Sequence, residues 1–229
     1  MYVRFCTQNV GLGRPAGVGK QPLFNVTATL TTASGGSSTG VSTSRRIGFR
    51  SVALVTGNDT DAAFRQQAAM QQGTMLHGMV FRVNGAVLFT RGANMVPMEE
   101  LEGWYSAAAH RELVKSSADS NINMLRVWGG GIYLPQVWYD ACDELGILVF
   151  HDMMYAQQGH APKASPTQEA ELRHNIRRLS AHPSIILYDG CNECTVVTSN
   201  TSSQTAIYAT FVMSTVAQED MSRVVWPSW

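Results

Sequence analysis

Leu179-Ser180-Ala181-His182-Pro183-Ser184-Ile185-Ile186-Leu187-Tyr188-Asp189-Gly190-Cys191-Asn192-Glu193 is the stretch that decides the fold. The short apolar run Ile185 to Tyr188 reads as a strand buried on both faces. It stops at small and polar residues and delivers the pair Asn192-Glu193. A carboxylate at the C-terminal end of a buried parallel strand stands where a barrel scaffold places its chemistry. Glu193 is therefore the candidate general acid/base.

Short apolar strands alternate with helical stretches from about residue 87 onward. Val87 to Thr90, Asn123 to Val127 and Ile147 to Phe150 are the strands expected before Ile185 to Tyr188. Helices are expected over Trp104 to Ser117, Pro135 to Leu145, Thr167 to Ala181 and Gln204 to Asp220. Pro135 opens the second of these and Gly146 follows its end, the usual asymmetry. Thr167 is read as the N-cap of the third, with acidic residues in its first turns. Strands roughly 25–40 residues apart, separated by helices, follow the rhythm of an α/β chain building a (β/α)8 TIM barrel. About four of the eight strands of such a barrel are expected here. The chain is accordingly read as a fragment, cut at both ends.

Residues 1–75 differ. They are rich in Gly, Ser and Thr, with an alternating strand at Pro22 to Leu30 and a second at Arg46 to Val55. Asp61 to Gln72 is a polar insert. This part is read as a piece of a β-sandwich. Met79 to Phe89 reads as a hairpin turning at Asn84-Gly85, the strongest short turn signal.

Of the 229 residues, 45% are hydrophobic and 15% charged, with a formal net charge of zero, so a packed core is expected. No basic stripe argues for nucleic acid or an anionic membrane as partner. The most apolar stretch, Ala206 to Ala217, falls short of the roughly 20 residues that span a bilayer. Met1 to Cys6 lacks the apolar core of a signal peptide. Four cysteines do not make a disulfide scaffold in a chain of this length. Cys191 and Cys194 form a single Cys-x-x-Cys, a weak sign of metal or redox work, and no cofactor is expected. Gly13 to Gln21 resembles a phosphate loop only superficially, because Lys20 is followed by Gln21 rather than Ser or Thr. Asn25, Asn58 and Asn200 head glycosylation sequons, which fit a secreted or lysosomal protein but also arise by chance in a Ser/Thr-rich chain.

In a barrel all C-terminal strand ends share one face. That face would bring together Asn94, Arg126, Trp128, His151, Asp152, Asn192 and Glu193. Each has a plainer reading: Trp128 as core, Asp152 as a helix cap, Arg126 as an internal ion pair, His151 and His160 as satisfied or exposed histidines rather than metal ligands with Asp152. The conjunction favours a site. Glycoside cleavage needs a carboxylic acid of raised pKa to protonate the leaving oxygen, and a second carboxylate. Apolar neighbours such as Ile186 and Tyr188 would keep Glu193 protonated. Asn192 suits a sugar hydroxyl, and the Trp128 indole offers a flat apolar face to a pyranose.

The run Arg126-Val127-Trp128-Gly129-Gly130-Gly131-Ile132-Tyr133, then Tyr139 to Ile147, then His182-Pro183-Ser184-Ile185-Ile186 up to Asn192-Glu193, resembles β-mannosidase of glycoside hydrolase family 2. Val83-Asn84-Gly85 and Arg91-Gly92-Ala93-Asn94 match the start of that family's barrel, and Gln21 to Val26 with Arg46 to Arg50 are similar to its immunoglobulin-like domain. The resemblance implies an immunoglobulin-like piece over 1–75 and the N-terminal half of a TIM-barrel catalytic domain over 76–229. It implies an exo-acting retaining enzyme that removes terminal β-mannose from oligosaccharides. Glu193 takes the place of the family's acid/base and Asn192 of its partner. Arg126, Trp128, Asp152 and Asn94 fall on its sugar site. The family's nucleophile, a Glu on a later strand, has no counterpart in this chain, so the isolated segment is expected to be inactive; Asp152 and Asp189 are poor substitutes. Tyr188-Asp189, where the family has Trp followed by Gly or Ser, and His151, where relatives have Gln, leave the sugar open, with β-glucosaminides as the alternative. A carbohydrate-binding protein without catalysis on the same scaffold is the competing function, and a thiol or metal protein using Cys191 and Cys194 is a third.

Overall fold

The computed structural model describes residues 10–30, 41–55, 80–156, 162–196 and 206–228. Strands β1 (Phe24–Leu30) and β2 (Val41–Ile47) form an antiparallel two-stranded ribbon. Hydroxyl pairs Thr27–Ser44 at 2.7 Å and Thr29–Ser42 at 2.8 Å line its exposed half. The strand expected over Arg46 to Val55 is two: β2 ends at Ile47, and β3 (Val52–Val55) turns away to pair with β4 (Val80–Val83). Strand β4 pairs in turn with β5 (Ala86–Leu88). Asn84 and Gly85 both adopt positive φ, 52° and 80°. That is the turn whose twist matches a two-residue hairpin, as Asn-Gly foretold.

Five parallel strands follow: β6 (Gly92–Met95), β7 (Met124–Val127), β8 (Leu148–Asp152), β9 (Ile185–Asp189) and β10 (Val224–Trp226). Their order in the sheet is their order in the chain. The first is not the expected Val87 to Thr90, because Ala86–Leu88 is committed to the hairpin. Gly92 takes that place because β7 runs close beside it; a Cβ there would meet the Met124 carbonyl oxygen at 2.7 Å. The fifth strand, β10, was not expected from its three residues.

Helices connect the strands, as a parallel sheet requires. Helix α1 (Ala107–Asp119) starts three residues later than expected, where the Ser106 side chain accepts the Ala109 N–H; Trp104 lies in a 3-10 turn before it. Helix α2 (Gln136–Leu145) follows Pro135 and ends at Gly146, whose φ of 75° is the left-handed cap. In α3 (Pro166–Leu179) the N-cap is Ser165, not Thr167, because Pro166 occupies the first turn, where a missing N–H costs nothing. A π-helical stretch, Tyr208–Met213, runs into α4 (Ser214–Glu219). None of the described helices is long and apolar enough to cross a membrane.

The sheet has two buried faces. Leu125, Val127, Val149, Ile185 and Tyr188 pack against Trp138, Tyr139, Leu172, Ile176 and Leu179 of the helices. On the other face Met124, Leu148, Phe150, Ile186 and Leu187 pack against Phe81 and Val83 of β4. The hairpin thus covers the N-terminal end of the second face, leaving its C-terminal end to polar residues. A bulge between Val149 and Phe150 makes Phe150 pair with Leu187 and brings Asp152 level with Asp189. Residues upstream of β3 dock on α2 and the start of β9. Arg46 bridges Asp140 at 3.2 Å and Glu144 at 2.5 Å, Ala16 N–H donates to Gly146 O at 2.8 Å, and Arg50 donates to Ile185 O at 3.0 Å.

Candidate functional site

Asn94, Arg126 and Phe150 are register partners on β6, β7 and β8, so their side chains emerge on one face of the sheet. Asp152 lies two residues beyond Phe150 on that face. Arg126 grips both Asp152 oxygens, Nε to Oδ1 at 3.0 Å and Nη2 to Oδ2 at 2.7 Å. Its Nη2 also donates to Asn192 Oδ1 at 2.9 Å and its Nη1 to Asn94 Oδ1 at 3.3 Å. One guanidinium thus ties together residues from β6, β8 and the segment after β9, in the planar fork that suits it to such sites.

The glycine run after β7 completes this arrangement. The Gly129 N–H donates to Asp152 Oδ2 at 2.9 Å. A Cβ on Gly129 would sit 2.4 Å from the Tyr155 carbonyl oxygen and 2.7 Å from that of Met153. A Cβ on Gly130 would collide with the Trp128 ring at 2.2 Å. The half-buried Trp128 indole therefore lies against the side-chain-free backbone at Gly130.

Burial pushes the Asp152 carboxyl up to about 6, against the opposing pull of Arg126 and the Gly129 amide. Asp189, fully buried, is pushed further, to about 8, by burial first and then by the neighbouring Asp152 charge. Its Oδ1 accepts the Cys191 N–H at 3.2 Å, while Oδ2 has no hydrogen-bond partner among the described residues.

His151 points the other way, into the helix-facing core. Its Nδ1 lies 2.7 Å from the Asp152 carbonyl and its Nε2 2.8 Å from the Tyr139 hydroxyl. A carbonyl only accepts, so Nδ1 carries the proton and Nε2 accepts from Tyr139. Burial drives its pKa down to about 3, which keeps it neutral. It is a satisfied core histidine; His160 lies outside the described residues.

Asn192 is buried, its N–H donating to Tyr155 O at 3.0 Å. Glu193 follows in a left-handed turn, φ 53°, four residues past the end of β9, with its side chain exposed. The apolar surroundings expected from Ile186 and Tyr188 are therefore not found around it among the described residues. Ile186 packs under the hairpin and Tyr188 against the helices. The turn carries Glu193 beyond the side-chain register of the strand. Cys191 and Cys194 flank the pair and are joined as a disulfide, with Cα atoms 5.7 Å apart.

The described acids and histidines also gather at Asp140, Asp143 and His182. His182 Nδ1 pairs with Asp143 at 2.6 Å, the other Asp143 oxygen takes the Ser184 N–H at 2.8 Å, and Asp140 pairs with Arg46. This group fastens α2 to the start of β9. A small open recess beside it, lined by Arg50, Asp143 and Ser184, lies at the N-terminal ends of the strands, opposite the Arg126 cluster.

No family model matches the chain. It is 34% identical over 193 residues to β-mannosidase B of Thermothelomyces thermophilus, covering 83% of this chain and 21% of that protein. To the Bos taurus β-mannosidase it is 39% identical over 115 residues, 49% of this chain and 13% of the relative. Among solved structures, the β-D-mannosidase of Dictyoglomus thermophilum superposes with a TM-score of 0.72 at 27% identity, over 96% of this chain and 26% of that one. The chain is a β-mannosidase-like protein of glycoside hydrolase family 2. It spans about a fifth of the length of the fungal relative.

In this family 2 chain the sequence reading had placed Asn94, Arg126, Asp152 and Asn192 on one face, and the structure joins them by direct hydrogen bonds. It had passed over the Gly129 amide, whose signal is the uninterrupted Trp-Gly-Gly-Gly, and had weighed Asp189 only as a nucleophile. Asp189 has a measurable consequence. Folded, it holds its proton up to about pH 8, against an ordinary value of 3.8 when unfolded. Between those values the native state binds the extra proton, so stability falls as pH rises through that window and is level above it. Asp189→Asn removes the fall. Urea unfolding is expected to show the variant matching the parent chain near pH 4 and exceeding it by about 2 kcal/mol or more at pH 8. Parallel pH profiles for the two would contradict this.

Proposed function

We propose that residues 76–229 form the N-terminal half of a (β/α)8 catalytic barrel and that residues 1–75 belong to an immunoglobulin-like sandwich and its linker. The whole protein is then a retaining exo-glycosidase that hydrolyses terminal β-D-mannosyl residues of oligosaccharides. Five parallel strands in chain order, with helices on one face, support the barrel. The observation that carries the activity is the Arg126 cluster: Asn94, Asp152 and Asn192 drawn to one guanidinium at the C-terminal strand ends, with Glu193 next in the chain after Asn192.

In this reading Glu193 protonates the glycosidic oxygen and later activates water. Asn192, held by Arg126, hydrogen-bonds a sugar hydroxyl beside the reacting carbon. Asp152 and Asn94 take further hydroxyls or fix Arg126, and Trp128 packs on the pyranose face. The nucleophile comes from a later strand of the whole protein. Exposed Asn25 on β1 fits a secretory or lysosomal route.

A second reading, binding without turnover, is favoured for this chain by one observation. Retaining hydrolysis needs a free carboxylate about 5 Å from the acid. Both Asp152 oxygens are occupied by Arg126 and Gly129, and Asp189 is sealed in the core. Calorimetry with mannose and mannobiose, run beside a mannose-release assay, separates the readings. The 229-residue chain is expected to bind, to bind at least about tenfold more weakly as Asn192→Ala, and to release little mannose. A well-folded chain without affinity for mannosides would refute the sugar site; brisk release of mannose would refute binding alone.

A further inference from the structure

Cys191 and Cys194 bracket Asn192-Glu193, and the loop they close is anchored at every point except Glu193. Cys191 is fully buried, and its N–H donates to Asp189 Oδ1. The Cys194 N–H donates to Ser228 Oγ at 2.8 Å. Between them both sulfurs rest on the Asn192 carbonyl oxygen, at 3.5 Å and 3.4 Å. Asn192 is pinned by Tyr155 O through its N–H and by Arg126 through its side chain. Among the described residues of the loop, Glu193 alone has a side chain without a partner, on a backbone at φ 53° that a residue with a Cβ does not favour. Something must hold that conformation, and the cysteine pair is the covalent element that spans it.

We propose that Cys191 and Cys194 are a reversible thiol–disulfide clasp that sets the position of Glu193, so that the oxidised chain presents the site and the reduced chain relaxes it. The proposal rests on the reading of Glu193 as the acid/base. The switching step is exchange with a dithiol reductant. Its thiolate attacks the Cys194 sulfur, the more accessible at 9% exposure, and the bond to Cys191 breaks, releasing a thiolate that takes up a proton. The second thiol of the reductant displaces Cys194 as its own disulfide forms. One disulfide is lost and one gained; two electrons and two protons pass to the protein. Cys142, free and buried within α2, takes no part.

The 229-residue chain is prepared air-oxidised and dithiothreitol-reduced, with Cys194→Ser alongside. Peptide mapping with thiol alkylation, amide hydrogen exchange over residues 190–196 and mannose calorimetry are measured on each. Expected are an intact Cys191–Cys194 bond in the oxidised chain, and exchange in the loop faster by roughly tenfold on reduction. Mannose affinity falls with it, and Cys194→Ser behaves as the reduced chain under both conditions. Free thiols at both positions in the oxidised chain, or loop exchange unchanged by reduction, would overturn the clasp. Reduction of the native chain needs no variant, so poor folding of Cys194→Ser leaves the test standing. If exchange responds but mannose binds in neither state, the clasp stands and the sugar site fails. If mannose binds equally in both states and exchange is flat, the sugar site stands and the clasp fails.

Discussion

In a full-length protein carrying this segment, Glu193→Gln is expected to abolish turnover of β-mannosides with poor leaving groups, while for activated aryl leaving groups the bond-breaking step is largely spared and only the later, water-activated step slows. The physical reason is that an alkoxide leaving group needs a proton as the bond breaks, whereas a nitrophenolate does not. Positioned acid catalysis contributes about 10²- to 10⁴-fold, and the loss should lie in that range for an oligosaccharide. Glutamine keeps the shape and loses the transferable proton, so KM for mannobiose should move little. Steady-state kinetics with mannobiose and nitrophenyl mannoside, on parent and variant, measure both effects. Equal turnover of mannobiose by parent and variant would remove Glu193 from the chemistry. The exposure of this side chain among the described residues bears directly on the result. Among the described residues the turn itself supplies no apolar wall around this carboxyl.

Arg126→Met should cost about 3–5 kcal/mol of stability, the range for breaking one side of a buried ion pair. Asp152 is fully buried and its charge is compensated by two Arg126 bonds and one Gly129 amide. Methionine fills the volume and leaves that carboxyl facing apolar surroundings. It must then be protonated, and its pKa, already up at about 6, rises further. Asn192 and Asn94 lose their common donor at the same time, so mannoside affinity should fall with stability. Urea unfolding of the 229-residue chain measures the first effect and calorimetry the second. Adding Asp152→Asn should recover part of the stability, because the stranded charge is gone, but not the affinity. A loss under about 1 kcal/mol on Arg126→Met would mean that the cluster is solvated and loosely held.

How far the chain could be read in advance depended on where local signals and tertiary contacts agree. Strand β9 announced itself because a sheet buried on both faces needs the continuous apolar run Ile185 to Tyr188. The hairpin and helix α2 were legible because Asn84-Gly85 and Gly146 occupy left-handed positions that few residues tolerate. Strand β6 was not legible. Gly92-Ala93-Asn94-Met95 has no strand propensity, and it is a strand because β7 lies alongside with room for a glycine only. Strand β10 is too short to show a period. At the site, Asn94, Arg126 and Asp152 share a face that follows from strand register alone, whereas His151, read onto the same face, turns to the helix-facing core. The environment of Glu193 was not readable, because three residues, Gly190 to Asn192, separate it from the strand that foretold it. The second function of its neighbours also escaped: one Cys-x-x-Cys is a weak motif in sequence and becomes specific only when both sulfurs are seen against the Asn192 carbonyl.

The most direct measurement is a crystal structure of the full-length protein with a non-hydrolysable thio-mannobioside. A Glu193 carboxylate oxygen within about 3 Å of the glycosidic sulfur, with Trp128 against the sugar ring and Asn192 on an adjacent hydroxyl, is the predicted result. A sugar bound elsewhere, with Glu193 turned to bulk water and away from Trp128, would contradict it.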